Sequence, residues 1–224
     1  MIRIDHLVRG YTRMRPWSIE YGTFWVWDID NDLPPRCPAR VDVTFQEAAL
    51  ADVDDLKVAM GLPAAAPIQQ RLQSKRRCFV LKSDNQIVTY GWVTLGPEHV
   101  GELERDFRMP ARDAYVWDCG TVPTWRGQRC YSAFLNYLIY QLYREGIPRI
   151  WIGSSRQNQP SIRGFINAGF HHVIDLTYWR IYGLTILWFK KAPAAVPSRI
   201  AAAYHILLSE REHRLGWLAV GYRW

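Results

Sequence analysis

With 224 residues, 49% of them hydrophobic and 22% charged, and a formal net charge of +7, the chain has enough apolar material for a substantial core, which excludes a largely disordered polymer. No apolar run of about 18 residues occurs, which excludes a membrane-spanning helix, and the lack of a signal-peptide pattern makes the cytoplasm the expected location. The four cysteines, Cys37, Cys78, Cys119 and Cys130, form no CxxC pair and have no histidine at metal spacing, so reduced thiols are expected rather than a zinc site or a disulfide framework.

Residues 1–33 precede a proline-rich break, Pro34-Pro35-Arg36-Cys37-Pro38, that reads as a linker or sharp turn. Within them, residues 22–27 are strand-like and either pack on the main domain or begin a small substrate lobe. Residues 41–45 alternate as a first strand, and residues 52–57 form a first helix with acidic residues near its start. Residues 67–77 read as a second helix. Lys75, Arg76 and Arg77 make the one compact basic patch, better explained as a solvated helix end than as a nucleic-acid site. Residues 78–82 and 87–93 then read as an antiparallel hairpin. Residues 97–112 are charged and irregular, a candidate substrate loop.

An apolar strand over residues 114–122 ends at Pro123, after which Arg126-Gly127-Gln128-Arg129 opens a helix. The first N–H groups of a helix have no carbonyl partner within it. Such a start attracts anions: Gly127 permits close backbone approach, and Arg126 and Arg129 add charge, so a pyrophosphate fits. Tyr131, Phe134, Leu135, Leu138 and Leu142 fall on one buried helical face, and Gly146 with Pro148 ends the helix. Residues 149–153 are a short β-prone run, giving a strand, helix and parallel strand, with a ligand expected at the carboxyl end of the strands.

Beyond Phe170, residues 172–179 and 184–189 read as a final hairpin through Tyr182-Gly183. In the tail, Ile200, Tyr204, Leu207 and Leu208 make a helical apolar stripe. Docking against the domain or a second subunit, as in a homodimer, is the default reading; shallow insertion into a membrane interface with Trp217 and Trp224 is the alternative. The 11 tryptophans suit either a core or an aromatic-lined pocket.

The run from Val122 through Arg126-Gly127-Gln128 resembles the cofactor motif of the GNAT superfamily of N-acetyltransferases, a valine-rich strand, a proline, then Arg/Gln-x-x-Gly-x-Gly/Ala. Asn158, Ser161, Phe165, Gly169 and Phe170 stand where that family tends to have Asn, Ala or Ser, Tyr, Gly and Phe. The resemblance is firm for residues 113–172 and extends over 41–191. It implies an α/β (α+β) fold, a central mixed twisted sheet flanked by helices, with an N-terminal extension at 1–40 and a C-terminal helical extension at 192–224. It also implies acetyl-CoA or another acyl-CoA as co-substrate, held by Thr121, Val122, Arg126, Gly127, Gln128, Arg129, Cys130, Tyr131, Asn158, Ser161 and Phe165. The reaction implied is attack of a small-molecule primary amine on the thioester, with amino sugars and amino-acid derivatives the acceptors to consider.

Asp118 is the candidate base in that reaction, against the reading of a surface or salt-bridged aspartate. Glu98, Glu102, Glu104 and His99 are weaker substitutes, and adjacent strand residues His171 and His172 face opposite ways, so they do not act together. Three positions depart from the family pattern. Arg129 and Tyr131 occupy the glycine or alanine positions of the turn, and Phe165 has no proton to give a leaving thiolate. A GNAT-like binding or membrane-associated module without catalysis is therefore the rival reading.

Overall fold

A computed structural model describes residues 17–74, 76–96, 98–100, 105–107, 109–110, 112–181, 184–208, 212–215 and 218–222. In chain order it contains β1 (Trp17–Asp28), β2 (Thr44–Glu47), α1 (Val53–Met60), α2 (Ala66–Leu72), β3 (Arg76–Ser83), β4 (Gln86–Thr94), β5 (Glu98–Val100), β6 (Arg105–Phe107), β7 (Asp113–Thr121), α3 (Cys130–Arg144), β8 (Arg149–Ser155), α4 (Gln159–Ala168), β9 (His171–Ile181), β10 (Leu184–Lys191), α5 (Pro197–Leu207), β11 (Glu212–Leu215) and β12 (Leu218–Tyr222). Ten strands form one mixed sheet in the order β11-β12-β10-β9-β1-β8-β7-β4-β3-β2. The fold class is the α/β architecture, a mixed sheet flanked by helices, that the resemblance implies. Residues 97–112, expected as irregular, contain the small ribbon β5-β6.

Most local signals act where the sequence places them. The β3-β4 hairpin closes through Asp84 and Asn85, both at positive φ (48° and 62°), as a two-residue turn matched to strand twist requires. Asp54 and Asp55 lie in the first turn of α1, and Gly61 ends it at φ 66°;. The second helix is shorter than expected. Residues 76–77 belong to β3, where Arg77 is drawn into a three-way ion cluster, donating to Glu47 of β2 at 2.6 and 2.8 Å and to Glu145 at the end of α3 at 2.5 and 2.9 Å. Those partners are distant in sequence, so helical periodicity carries no trace of them. Lys75 lies outside the described residues.

The two terminal segments differ from the expected extensions. β1 lies inside the sheet, antiparallel to both neighbours, with Trp25 opposite Ile152 of β8 and His172 of β9. The C-terminal segment holds α5 and then two strands that continue the sheet beyond β10.

Strand alternation divides the core between the two faces. On one face α3 and α4 pack on Trp25, Trp27, Phe79, Val116 and Ile152. On the other, α1 and α2 cover Cys78, Val80 and Trp92, while α5 covers Phe24, Val26 and Trp151. The apolar stripe of α5 is turned to the sheet, with Tyr204 edge-on to Phe189 at 5.0 Å. Trp217 and Trp224 lie outside the described residues. Among the described residues no helix is long and apolar enough to cross a membrane.

The ion cluster yields a pH-dependent prediction. The Arg77 hydrogen bond holds the Glu145 carboxyl below its ordinary value of 4.5. A depressed folded-state value contributes stability above the unfolded value and loses it as pH falls through the folded one. Glu145→Gln is expected to cost about 0.5–1 kcal/mol at neutral pH. In urea unfolding the gap to wild type should close as the pH drops below 4.5.

Candidate active site

β7 and β8 run parallel and share register only from Asp113 opposite Arg149 to Val116 opposite Ile152. The closed end is clamped by side chains: buried Asp113 accepts from Trp151 Nε1 at 2.8 Å and from Arg149 Nε at 3.2 Å. Burial pushes the Asp113 carboxyl up, while Trp151 and Arg149 pull the other way. Past Val116 the strands part. β7 stays on β4 through Trp117 opposite Trp92 and Thr121 opposite Thr89, and β8 stays on β1 through Gly153 opposite Phe24 and Ser155 opposite Gly22.

A bulge marks the β7 side of the opening. The register with β4 shifts between Tyr90 and Trp92, and Asp118 takes φ 43°, so Asp118 and Cys119 together oppose Gly91. That position needs glycine, because a Cβ there would lie 2.7 Å from both Cys119 Sγ and Phe134 Cε1. The outcome is a wedge bordered by residues 117–121, whose backbone groups on the β8 side have no strand partner among the described residues;.

The turn that follows is strongly bent. Residues Pro123–Trp125 form a 3-10 turn, Gly127 has φ 81°, and Arg129 caps α3 in the left-handed region at φ 59°. The helix therefore begins at Cys130, later than expected from Arg126. By position, the amides of Cys130, Tyr131 and Ser132 lack an intrahelical carbonyl. The turn's carbonyls are used: Gln128 O accepts from Arg40 N at 2.9 Å, and Arg129 O from Ala133 N at 3.0 Å. Arg126 and Arg129 are exposed, and Arg126 Nε donates to Thr121 O at 3.3 Å. Around Gly127 a Cβ would meet nothing within 4 Å, so the turn is open on that side. Exposed guanidinium groups beside free helical amides form a site that favours an anion.

Tyr131 points across to α4. Its ring lies against Gly164, where a Cβ would sit 2.4 Å from Tyr131 Cδ1, and burial pushes its phenol up while Ser161 pulls the other way. Ser161 N in turn donates to Asn158 Oδ1 at 3.3 Å, the cap of α4. Phe165 is fully buried, with ring centroids 5.9 Å from Trp25 and 6.3 Å from both Tyr131 and Phe170.

Asp118 lies on the opposite face, that of α1 and α2. Its Oδ2 accepts from Arg71 Nη1 of α2 at 2.5 Å, and Arg71 stacks over the rings of Trp117 at 4.7 Å and Trp92 at 5.2 Å. Asp118 Oδ1 has no hydrogen-bond partner among the described residues. The salt-bridged arrangement weighed for Asp118 is thus present, with one oxygen left over for other work.

The remaining candidates separate clearly. Glu98 is buried and committed, accepting from Arg76 twice at 2.8 Å and from Thr94 at 2.7 Å. Glu102, Glu104 and the side chain of His99 lie outside the described residues. His172 bonds Asp175 at 2.9 Å and stacks on Trp25 at 4.7 Å, whereas burial and Arg199 lower the His171 imidazole. Burial pushes the Cys78, Cys119 and Cys130 thiols up, which leaves no ready thiolate nucleophile among them. Among the described residues no group of three or more His, Cys, Asp or Glu side chains is placed to hold a metal.

Residues 49–170, more than half the chain, match the model of the acetyltransferase (GNAT) family. The chain belongs to that family. A putative GNAT acetyltransferase from Novosphingobium aromaticivorans has a similar structure, with TM-score 0.51 and 14% identity, over 78% of this chain and 66% of that one. The chain thus spans just under two thirds of that relative. The ribosomal-protein-S18-alanine N-acetyltransferase of Escherichia coli aligns at TM-score 0.46 and 15% identity, over 58% of this chain and 78% of that one. An aminoglycoside N-acetyltransferase solved in complex with CoA aligns at TM-score 0.46 and 11% identity, over 57% and 91%. No curated protein matches the sequence significantly.

Against the GNAT motif, the structure gathers Arg126, Gly127, Gln128, Arg129 and Tyr131 at one turn, and Asn158, Ser161 and Phe165 on the adjoining helix. The Val122 backbone is engaged within the protein. The Val122 amide donates to Val88 O at 2.9 Å and its carbonyl accepts from Trp125 N at 2.9 Å. Cys130 is buried in the core, so only its amide faces the turn. Missed from sequence was Arg71, which reaches Asp118 across 47 residues.

The Tyr131 and Gly164 contact is directly testable. Gly164→Ala should destabilise by about 1–3 kcal/mol through overpacking, and Tyr131→Ala in the same chain should recover most of it. Chemical unfolding of the two variants and the double variant checks both values.

Proposed function

We propose that the chain is an acyl-CoA-dependent N-acyltransferase, with acetyl-CoA the first donor to try, acting on a primary amine of a small metabolite. The observation that carries this is the wedge between β7 and β8 opening beside the unpartnered amides of α3. A nucleotide diphosphate suits the turn from Arg126 to Tyr131, and an extended pantetheine arm suits the edge of β7 that β8 leaves uncovered, whose backbone groups would pair with its amides. The acyl carbon then lies near the bulge.

Asp118 serves the amine. Arg71 fixes one carboxylate oxygen, and Oδ1 receives the proton that the nitrogen must lose on forming the amide. Trp117 and Trp92 hold Arg71 by stacking and so orient the carboxylate. Amino sugars and amino-acid derivatives are the acceptor class to screen first.

One observation favours the non-catalytic alternative: the Tyr131 ring, packed on Gly164, ties α3 to α4 beside the proposed cofactor path. Calorimetric titration with acetyl-CoA separates the two, since the enzyme binds it and a module that binds none overturns the proposal. Asp118→Asn is expected to lower kcat by about 100-fold or more with CoA affinity unchanged. Unchanged turnover would remove Asp118 from the mechanism. Arg129→Gly relieves a positive φ and should fold at least as well, so a fall in its calorimetric affinity for acetyl-CoA, about fivefold or more for one lost charge-assisted contact, reports the side chain's contribution.

A further inference from the structure

We propose that Tyr90 is a further catalytic residue of this acyl transfer, its phenol a fixed hydrogen-bond donor to the negative charge that builds on the thioester as the amine attacks. The assignment rests on the acyltransfer reading above. Tyr90 stands in β4 directly opposite Gly120 of β7. Its hydroxyl oxygen lies 2.5 Å, and its Cζ 2.6 Å, from the point a Gly120 Cβ would occupy. The phenol therefore crosses β7 over the one residue there without a side chain, on the strand that borders the wedge.

Its surroundings match the role. Tyr90 packs with the α1 and α2 cluster, beside Trp92 and Trp117, so it shares the face of Asp118 and Arg71. The ring is half-buried, and the hydroxyl has no hydrogen-bond partner among the described residues. The tip is not among the sealed, unsatisfied polar atoms of the core, so it is open to an acceptor that enters from solvent beside the carboxylate. Burial pushes the phenol up, and Asp118 and Cys119 push it further, which keeps its proton in place at neutral pH.

The chemistry then balances without proton transfer from Tyr90. The amine nitrogen bonds to the acyl carbon as the carbonyl π pair moves onto oxygen. The pair returns, the C–S bond breaks, and sulfur leaves with its electrons as thiolate. The nitrogen's proton passes to Asp118 and then to solvent, and water protonates the thiolate. A phenol pushed upward is a weaker acid than an ordinary thiol at about 8.5, so its part is to donate a hydrogen bond that strengthens as charge develops.

The test measures thiol release from acetyl-CoA with glucosamine, alanine amide and water as acceptors. For Tyr90→Phe, kcat is expected to fall about tenfold or more, with KM for acetyl-CoA and for the amine within about twofold. Gly120→Ala, which displaces the phenol while retaining it, should show the same loss. Unchanged kcat in Tyr90→Phe, or a loss carried by KM instead, overturns the role of Tyr90 while leaving the enzyme assignment in place. A wild-type chain that releases no thiol above the uncatalysed rate overturns both.

Discussion

The arrangement depends on β7 and β8 being held together at one end and apart at the other. Asp113, taking hydrogen bonds from Trp151 and Arg149, locks the closed end. The bulge at Asp118 and Cys119 bends the open end away, and each strand keeps a different outer neighbour. A buried backbone group without a partner costs about 1–3 kcal/mol. A gap in the middle of a sheet persists only because flanking strands over-determine it. Gly91 and Gly120 belong to the same constraint, since a side chain at either would collide with the groups that shape the bulge.

The gap also joins two surfaces that a closed sheet would isolate. On one face lie the turn from Arg126 to Arg129 and the helix pair α3 and α4; on the other lie Asp118, Arg71, Tyr90 and Trp117. The first is suited to an anion, the second to a cationic or neutral amine flanked by aromatic rings. On the proposed acyltransfer reading, donor and acceptor would approach from opposite sides and meet without competing for one entrance.

The helix and strand periods, the Gly127 turn and the Gly146 stop are local signals, and all of them could be read along the chain. Arg77, by contrast, looks like a helix end until Glu47 and Glu145 are brought to it by folding. Likewise Asp118 could be placed near the turn, yet its partner Arg71 sits on a helix 47 residues away, and no spacing rule links them. Tyr90 escaped notice for a similar reason, since its role depends on a glycine in a neighbouring strand. The place of β1 was the least legible of all: an apolar run such as GTFWVW declares itself a strand, but nothing in its own residues names β8 and β9 as neighbours.

The position of β1 has a consequence for how the polypeptide reaches its native state. Both flanking partners of this ribbon are translated more than 100 residues after it, so on the ribosome its edges must wait for them. Closing so long a loop is entropically slow and raises the share of non-local pairings. Until β8 and β9 emerge, the segment is an unshielded sticky edge of the kind that chaperones capture.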